Sequence, residues 1–288
     1  MDKPKIFASS GALLPAMDVV EAARFAAREG FAGLDIRPNP LDFWPTTASR
    51  RSLAELQLIG DGEGIGYVFQ IPDSVNPAAA LPEDCARDID LLKRSVDIAR
   101  ILDSPLLSVH PGIAHELSAL ESNGDPFETL RFERELILVD ARARAIETLA
   151  DWADLIAQAG LVLAVKNQGH VRHSVAQTAG ILAGLLDTVG RENAQVNFVT
   201  GHAIIGGGLP QEFIILEKRI AQVHLSDGGT PDLGEQLPLG EGAADFSVMA
   251  DFLAAFPGVV TLEIFAPKRP AEATLESRDF LLRLLAVD

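Results

Sequence analysis

The sequence predicts an α/β protein, a (β/α)8 TIM barrel that forms a single domain over residues 1–288. Eight short β-rich runs alternate along the chain with amphipathic runs of helical periodicity. Most of the β-rich runs are apolar throughout, as is typical of parallel strands that are covered on both faces. The length of 288 residues fits one closed barrel of eight β-then-α units. An open doubly wound sheet is the alternative, but no GxGxxG motif follows the first run.

The predicted strands have five or six residues each, which is the usual strand length. They cover residues 5–9, 31–36, 66–70, 106–110, 161–166, 195–199, 220–225 and 259–264. The Gly-rich segment GDGEGIG, with Gly62, Gly64 and Gly66, precedes the third strand and is expected to form a loop.

Helices are predicted between these strands. Asp18 and Glu21 have the spacing of a capping box, and Gly30 is placed to end the helix that follows them. Further helices are predicted over residues 132–159, 176–189, 210–217, 246–256 and 271–285.

Composition and charge exclude several classes of protein. With 24 Lys and Arg against 41 Asp and Glu, the formal charge is −17, which argues against binding to nucleic acid or to an anionic membrane surface. Cys85 is the sole cysteine, so no internal disulfide is expected. The start MDKPKIFASSGALLP lacks a signal-peptide pattern, and no run approaches the roughly 20 apolar residues that span a bilayer. We therefore expect a cytoplasmic globular protein.

Polar side chains gather where the predicted strands end, and in a barrel of this class chemistry takes place at those ends. Trp44, in the second βα loop, is expected to form an apolar wall of the same pocket. His170 and His173 lie in a loop that is expected to reach over the barrel mouth. The candidate residues at the strand ends are Asp35, Arg37, Gln70, His110, Lys166, Asn167, His202, His224, Asp227 and Glu263.

Seven motifs occur in the order and spacing of a known superfamily. They are GFAGLDIR, SVHPG, LVLAVKNQ, VTGHA, VHLSDG, PLGEG followed by ADF, and TLEIF. Over nearly the whole chain, the sequence resembles the xylose isomerase-like TIM barrels, a superfamily that includes sugar phosphate isomerases and epimerases and the endonuclease IV-like proteins. The resemblance implies proton transfer next to a carbonyl group of a small, sugar-like substrate.

The resemblance also implies a divalent metal site, held by a Glu, an Asp, a His and a second Glu at the ends of the fifth to eighth strands. His224 and Glu263 match the last two ligands, but Lys166 and Val199 stand where the first two would be. With a neutral His224, these four side chains sum to zero charge without a metal ion. We therefore expect no cofactor. A divalent metal (Mn, Mg, Co or Zn) is the alternative, with His202, His224 and Glu263 as the ligands of a zinc ion.

Two interpretations of Lys166 stay open. In one, Lys166 and Glu263 form a buried ion pair that fills the place of the metal. In the other, the Lys166 ammonium polarises a substrate oxygen in place of the metal.

The remaining candidates are assigned by residue type. Glu263 or His224 would be the base, and His202 would bind substrate hydroxyls or move a proton. Asp35 and Arg37 are expected to pair at the barrel mouth, and Asp227 to orient His224 or the local backbone. Residues expected to bind substrate are His110, Asn167, Asp35, Arg37, Gln70, Asp227 and Trp44.

Three kinds of function follow from these residues. The first is a metal-free isomerase or epimerase acting on a small hydroxylated carbonyl compound. The others are a metal-free lyase or dehydratase on the same barrel, and a non-catalytic barrel that binds a small ligand or serves as a partner subunit. Endonuclease activity is disfavoured, because the chain is acidic and lacks the carboxylates of a multi-zinc cluster. A homo-oligomer is compatible with each of these functions.

Overall fold

The chain folds into a closed barrel of eight parallel strands in sequence order, from β1 to β8. The computed structural model describes residues 4–14, 16–122, 127–168, 171–229, 234 and 236–286. The barrel closes where β1 pairs with β8, for example at Ala8 and Leu262. The strands are β1 Lys5–Ser9, β2 Gly33–Ile36, β3 Gly66–Gln70, β4 Leu106–Val109, β5 Val162–Lys166, β6 Ala194–Val199, β7 Ile220–Leu225 and β8 Val259–Leu262. The predicted fold class is confirmed.

Helices cover the outside of the barrel, and the main apolar core lies between them and the strands. Two short 3-10 helices, Glu217–Arg219 and Phe246–Met249, accompany them. Within the described residues the α-helices are α1 Ser10–Leu13, α2 Val19–Arg28, α3 Arg50–Glu63, α4 Pro82–Ile101, α5 Glu116–Ser122, α6 Phe127–Gln158, α7 Ala179–Val189, α8 Thr200–Gly206, α9 Leu209–Leu216, α10 Ala250–Ala255 and α11 Pro270–Leu284. None of these helices is both long and apolar enough to cross a membrane.

The predicted start of α2 is confirmed. The Asp18 side chain accepts from the Glu21 amide at 2.8 Å, and the Glu21 carboxylate accepts from the Asp18 amide at 3.1 Å. Gly30 follows the helix with a φ of +75°, which an L-amino acid with a side chain rarely adopts.

The prediction for the segment GDGEGIG was wrong. Gly62 lies inside α3, Gly64 caps that helix, and Gly66 begins β3. Two glycines inside a helix weaken its intrinsic propensity, so packing must stabilise it. The buried Leu56 packs this face against the core, and its carbonyl accepts from the hydroxyl of Tyr67 at 2.6 Å.

The barrel interior changes from apolar to polar along the strands. At the start or in the middle of five strands, side chains form a separate apolar cluster: Phe7, Val68, Leu106, Ala164 and Val259. Two positions further along each strand, on the same face, a buried polar residue follows: Ser9, Gln70, Ser108, Lys166 and Thr261. Since barrel interiors are normally filled by branched apolar side chains, this polar layer makes the C-terminal end of the barrel the place to look for a functional site.

Candidate active site

Four buried side chains from β2, β3, β7 and the end of β8 form a closed ring of hydrogen bonds. Asp35 Oδ2 lies 2.8 Å from His224 Nε2, and His224 Nδ1 lies 2.7 Å from Glu263 Oε2. Gln70 Nε2 closes the ring by donating to Glu263 Oε1 at 3.2 Å and to Asp35 Oδ1 at 3.0 Å. Lys166 adds to it from β5, because its Nζ donates to Gln70 Oε1 at 2.8 Å and lies 4.0 Å from Glu263 Oε1. The structure thus brings together five of the residues predicted from the strand ends.

The ring geometry gives His224 a positive charge. Both of its nitrogens face carboxylate oxygens, and an ionised carboxylate only accepts hydrogen bonds, so both nitrogens carry a proton. The charges of Asp35 and Glu263 then balance those of His224 and Lys166. The expectation of a neutral His224 was wrong, and Asp35 enters the balance as a fourth charge. The site is still neutral overall, but because two negative charges balance two positive charges.

The electrostatics agree with this assignment. Burial disfavours the charged form of His224, but Glu263 and Asp35 outweigh burial and raise the pKa of His224 above its ordinary value of 6.5. Burial also disfavours the charged form of Glu263, but His224 and Lys166 outweigh it and hold the pKa of Glu263 well below its ordinary value. Glu263 is therefore ionised at neutral pH.

These shifts predict how stability depends on pH. The raised pKa of His224 contributes stability in full below pH 6.5, and this contribution is lost as the pH rises through the folded-state pKa. The lowered pKa of Glu263 contributes stability in full above pH 4.5, and this contribution is lost on acidification. The two stabilising contributions are therefore both complete between pH 4.5 and 6.5. Above pH 6.5, we expect the free energy of unfolding to fall by up to about 1.4 kcal/mol per pH unit. His224→Gln should lack this slope in urea titrations, and parallel curves for the two proteins would contradict the charged state of His224.

A second cluster lies beside the ring, where Asp73 joins Arg37 to His110. Arg37 Nη2 lies 2.6 Å from one oxygen of Asp73, and His110 Nε2 lies 3.1 Å from the other. The predicted pairing of Arg37 with Asp35 was wrong, because Asp35 accepts instead from four donors inside the barrel. Burial alone would raise the pKa of the Asp73 carboxyl. The pKa is lowered nevertheless, because the effects of His110, Lys166 and Arg37 outweigh that of burial.

His110 is neutral in this setting. Burial lowers the pKa of His110, and Lys166 lowers it further, against the opposing effect of Asp73. A neutral imidazole that donates from Nε2 to Asp73 has an acceptor lone pair on Nδ1. That nitrogen is buried and has no hydrogen-bond partner among the described residues. It is placed to accept a proton from a hydroxyl.

His202 and Asn167 form a third part of the site. Asn167 follows β5, and its side chain holds the backbone of Val199: its Nδ2 donates to the Val199 carbonyl at 3.1 Å, and its Oδ1 accepts from the Val199 amide at 2.7 Å. His202, in α8, lies with Nδ1 at 2.6 Å from the Asn167 carbonyl, which can only accept, so Nδ1 carries the proton. Its ring lies 6.4 Å from that of His110, centroid to centroid.

Asp227 lies apart from the ring and organises the loop after β7. Its carboxylate accepts from three backbone amides, those of Gly228 at 2.8 Å, Gly240 at 2.9 Å and Ala244 at 3.1 Å. Gly240 and Ala244 belong to the motif PLGEG and the residues that follow it. Of the two predicted orienting roles of Asp227, these contacts match the one toward the local backbone.

Gly242 makes this loop sensitive to a single methyl group. A Cβ at that position would lie 2.3 Å from both Asp227 Oδ1 and the Gly228 carbonyl oxygen. We expect Gly242→Ala to cost about 1–3 kcal/mol of unfolding free energy. Gly62→Ala is the matched control, because a Cβ there meets nothing within 4 Å. This substitution replaces a glycine inside a helix and should stabilise the protein by about 0.5–1 kcal/mol. Equal effects of the two substitutions in thermal unfolding would contradict this role of the loop.

Two of the remaining candidates, Trp44 and His173, are packed into the fold. Trp44 is half-buried and packs against the main apolar core. His173 is buried, and its carbonyl accepts from the Ala114 amide at 2.9 Å, whereas His170 lies outside the described residues.

Sequence reasoning missed four residues that support the site. Asp73 lies beyond the end of β3, in a loop where no motif drew attention to it. Asn197, Gln222 and Thr261 lie within strands that are otherwise apolar, and a polar residue in a buried parallel strand is the signal that could have revealed them. The side-chain amide of Asn197 lies 3.1 Å from His224 Nε2, and turning the amide over would direct its otherwise unpaired oxygen at the protonated nitrogen. Gln222 and Thr261 donate to Asp35 Oδ2 at 2.8 and 2.9 Å.

No group of three or more His, Cys, Asp or Glu side chains in the described part of the chain is arranged to hold a metal ion. The set His202, His224 and Glu263, the predicted alternative for zinc, is therefore not assembled as ligands. A carboxylate faces each nitrogen of His224 and both nitrogens carry a proton, so His224 has no lone pair to offer a metal while the ring of hydrogen bonds is intact.

The family of the chain follows from a comparison with family models. The model of the xylose isomerase-like TIM barrel matches residues 23–284, and the chain belongs to this family. The resemblance inferred from the seven motifs is thereby confirmed. A comparison with curated protein sequences finds no match.

Solved structures share the fold over almost their entire length. A D-tagatose 3-epimerase-like protein has a TM-score of 0.76 at 18% identity, with 98% of each chain covered. A D-allulose 3-epimerase from Methylomonas sp. in complex with D-allulose has a TM-score of 0.74 at 16% identity, again with 98% of each chain covered. The IOLI protein with a bound zinc atom has a TM-score of 0.77 at 15% identity and the same coverage. At these identities the similarity establishes the common fold, which sugar epimerases use.

Proposed function

We propose that this protein is an isomerase or epimerase that moves a proton next to the carbonyl group of a small, hydroxylated, sugar-like substrate, and that it does so without a divalent metal ion. The observation that supports this most strongly is the Lys166 ammonium beside the ionised Glu263 carboxylate, at the end of the barrel where enzymes of this fold bind substrate. An electrophile and a proton acceptor are thus adjacent.

The buried charges support the metal-free part of the proposal. Asp35, Glu263, His224 and Lys166 sum to zero, so the site needs no added cation for electrical balance. A divalent ion at this place would meet the Lys166 ammonium and the protonated His224, both of which repel it. The carboxylate oxygens of Asp35 and Glu263, which such an ion would need as ligands, already accept hydrogen bonds. The residues present therefore do not fit the metal that the family often uses.

The proposed reaction begins with Glu263. Its carboxylate takes the proton from the carbon next to the substrate carbonyl, and the electron pair of that C–H bond moves onto the carbonyl oxygen to form an enediolate. Lys166 donates a hydrogen bond to this oxygen as its negative charge develops. The low pKa of Glu263 makes it a weak base, so the proposal requires Lys166 to acidify the substrate. Isomerisation is completed when Glu263 returns this proton to the former carbonyl carbon and the proton of the neighbouring hydroxyl passes to the former carbonyl oxygen. Epimerisation requires instead that a proton reaches the original carbon from the face opposite Glu263.

His224 does not exchange protons with the substrate in this proposal. It is fully buried, and both of its nitrogens are hydrogen-bonded within the ring. It holds Glu263 in place and keeps it ionised. His202, which is protonated on Nδ1 and held by the Asn167 carbonyl, is proposed to contribute to binding of the substrate hydroxyls or to proton transfer.

The groups beside the ring would bind the substrate hydroxyls. His110 Nδ1 is a buried acceptor for one hydroxyl. Arg37 would contribute polar contacts at the same end of the barrel, with Trp44 as an apolar wall. Both polar atoms of the Asn167 side chain are bound to the Val199 backbone, and we assign it the role of holding that backbone beside the substrate. Gln70 and Asp35 are occupied by contacts within the protein, and we assign them no substrate atom.

Solvent exchange tests the proposal even while the substrate is unidentified. Purified protein is incubated in D2O with a panel of ketoses and aldoses, and incorporation of deuterium next to the carbonyl is followed by NMR. We expect exchange with at least one sugar, both before and after treatment with a chelator. If no sugar exchanges but one raises the melting temperature, the barrel binds ligands without catalysis and the proposed reaction is wrong.

His110→Ala serves as a comparison within this assay. It should weaken substrate binding and raise KM, while Glu263→Gln should abolish exchange, since only the second removes the proton acceptor. A Glu263→Gln variant that retained exchange would eliminate Glu263 as the base.

A further inference from the structure

Asp35 is the residue from which both functional groups of the site are anchored. It is fully buried, and its two oxygens hold different partners. Oδ1 accepts from Gln70, whose own Oε1 accepts from Lys166 at 2.8 Å. Oδ2 accepts from His224, whose other nitrogen lies 2.7 Å from Glu263. Each oxygen of Asp35 thus begins a hydrogen-bonded arm that ends on one of the two reacting groups.

The two arms are fixed relative to each other. Gln70 Nε2 also donates to Glu263 Oε1 at 3.2 Å, which joins the end of one arm to the middle of the other. The carboxylate of Asp35 is planar and rigid, so it sets the angle between Gln70 and His224. Gln222 and Thr261 hold that carboxylate in turn, both by donation to Oδ2.

The direction of the hydrogen bonds in the arm through Gln70, from donor to acceptor, depends on Asp35 being a carboxylate. Gln70 must direct its amide nitrogen toward Asp35 for its oxygen to face Lys166. If Asp35 offered an N–H group in place of Oδ1, the Gln70 amide would turn over and direct a donor at the Lys166 ammonium. Lys166 would then lose its acceptor, and Glu263 Oε1 would lose its donor.

We propose that Asp35 is a positioning residue, which never touches the substrate but sets the distance and orientation of the Lys166 ammonium relative to the Glu263 carboxylate through Gln70 and His224. This inference rests on the proposed function for its consequence in catalysis. Its structural part, the placement of Lys166 relative to Glu263, rests only on the hydrogen-bonded ring.

The kinetic test compares Asp35→Asn with Thr274→Val, a substitution in α11 outside the site, in the exchange assay. Asp35→Asn keeps the side-chain size but supplies a donor in place of one acceptor. We expect kcat to fall by about 10²-fold, with KM changed by less than about threefold, because misplacement of reacting groups by about 1 Å has an effect of this size. Thr274→Val removes a buried hydrogen bond, from the Thr274 hydroxyl to the Pro270 carbonyl at 2.8 Å, that has no contact with Asp35 or with either arm. It should lower the melting temperature and leave kcat within about threefold of wild type.

Gln70→Leu keeps the test decisive if Asp35→Asn fails to fold. It removes no charge, yet it severs the arm to Lys166 and should lower kcat by more than about tenfold with little change in KM. A folded Asp35→Asn or Gln70→Leu variant with wild-type kcat would overturn the positioning role. So would a Thr274→Val variant that loses as much kcat as Asp35→Asn, because loss of general stability would then explain both.

A crystal structure of Asp35→Asn separates this inference from the proposed function. We expect the Gln70 amide to be turned over, and the separation of Lys166 Nζ from Glu263 Oε1 to differ from 4.0 Å. Unchanged positions of Gln70, Lys166 and Glu263 would overturn the inference whatever the activity. If the wild-type protein exchanges no sugar proton but these positions do change, the proposed function fails and the positioning role stands.

Discussion

Substitution of Lys166 by Met is expected to lower the exchange rate by about 10³-fold, the loss seen when a donor to a developing oxyanion is removed. Lys166 is buried and lies beside Glu263, and no other described ammonium or guanidinium group approaches Glu263 within 4.0 Å. Without Lys166, the substrate carbonyl would lack the positive charge that makes the neighbouring C–H bond acidic. Exchange of the substrate proton in D2O measures the loss directly.

The same substitution leaves Glu263 and Asp35 with only His224 to balance them. Removing one partner of a buried ion pair costs about 3–5 kcal/mol, so Lys166→Met alone should be much less stable. Lys166→Met with Glu263→Gln restores neutrality, and this double variant should recover most of that stability and remain inactive. A stable, active Lys166→Met variant would show that Lys166 only fills space.

A second large effect is expected from reversing the two departures from the family pattern. Lys166→Glu with Val199→Asp gives the chain the two Glu, one Asp and one His that the family resemblance associates with a metal. In the absence of metal, these three carboxylates and Asp35 would repel one another in a buried site. We expect the variant to bind about one Mn²⁺ per chain and to gain about 10 °C or more in melting temperature with it, whereas the wild-type protein shows neither change.

The single substitutions are the controls. Lys166→Glu alone supplies three of the four ligands and should bind Mn²⁺ more weakly, while Val199→Asp alone keeps Lys166 in the site and should not bind it. Calorimetric titration with Mn²⁺ measures all four proteins. Stoichiometric binding by the wild-type protein, or none by the folded double variant, would contradict the assignment of these positions.

Most of the barrel could be predicted from the sequence because each strand carries its own signal. The fifth strand was expected at residues 161–166 and is found at Val162–Lys166, since a buried parallel strand is apolar throughout. Helix α3 was missed because Gly60, Gly62 and Gly64 resemble a loop. Local propensity is weak evidence where tertiary packing stabilises a helix.

The residues that form the site could be predicted from the sequence, but the hydrogen bonds that join them could not. Lys166, His224 and Glu263 stand at strand ends, and the closure of the barrel necessarily brings those ends together. The sequence could not show that Asp35 Oδ2 would contact His224 Nε2, 189 residues away, because that contact depends on the stagger of the strands. The charge on His224 depends on the same contact. Arg37 was paired with Asp35 because they are two residues apart, whereas the fold brings it to Asp73.

Exchange by protein freed of metal tests the central claim most directly. The protein is dialysed against a chelator, its content of Mn, Mg, Co and Zn is measured, and deuterium incorporation into the active sugar is recorded before and after each metal is returned. We expect exchange at an undiminished rate when the protein holds only trace metal, far below one ion per chain, and no increase when metal is added. Exchange that disappears with the metal and returns with one ion per chain would contradict the claim that Lys166 acts in place of a metal.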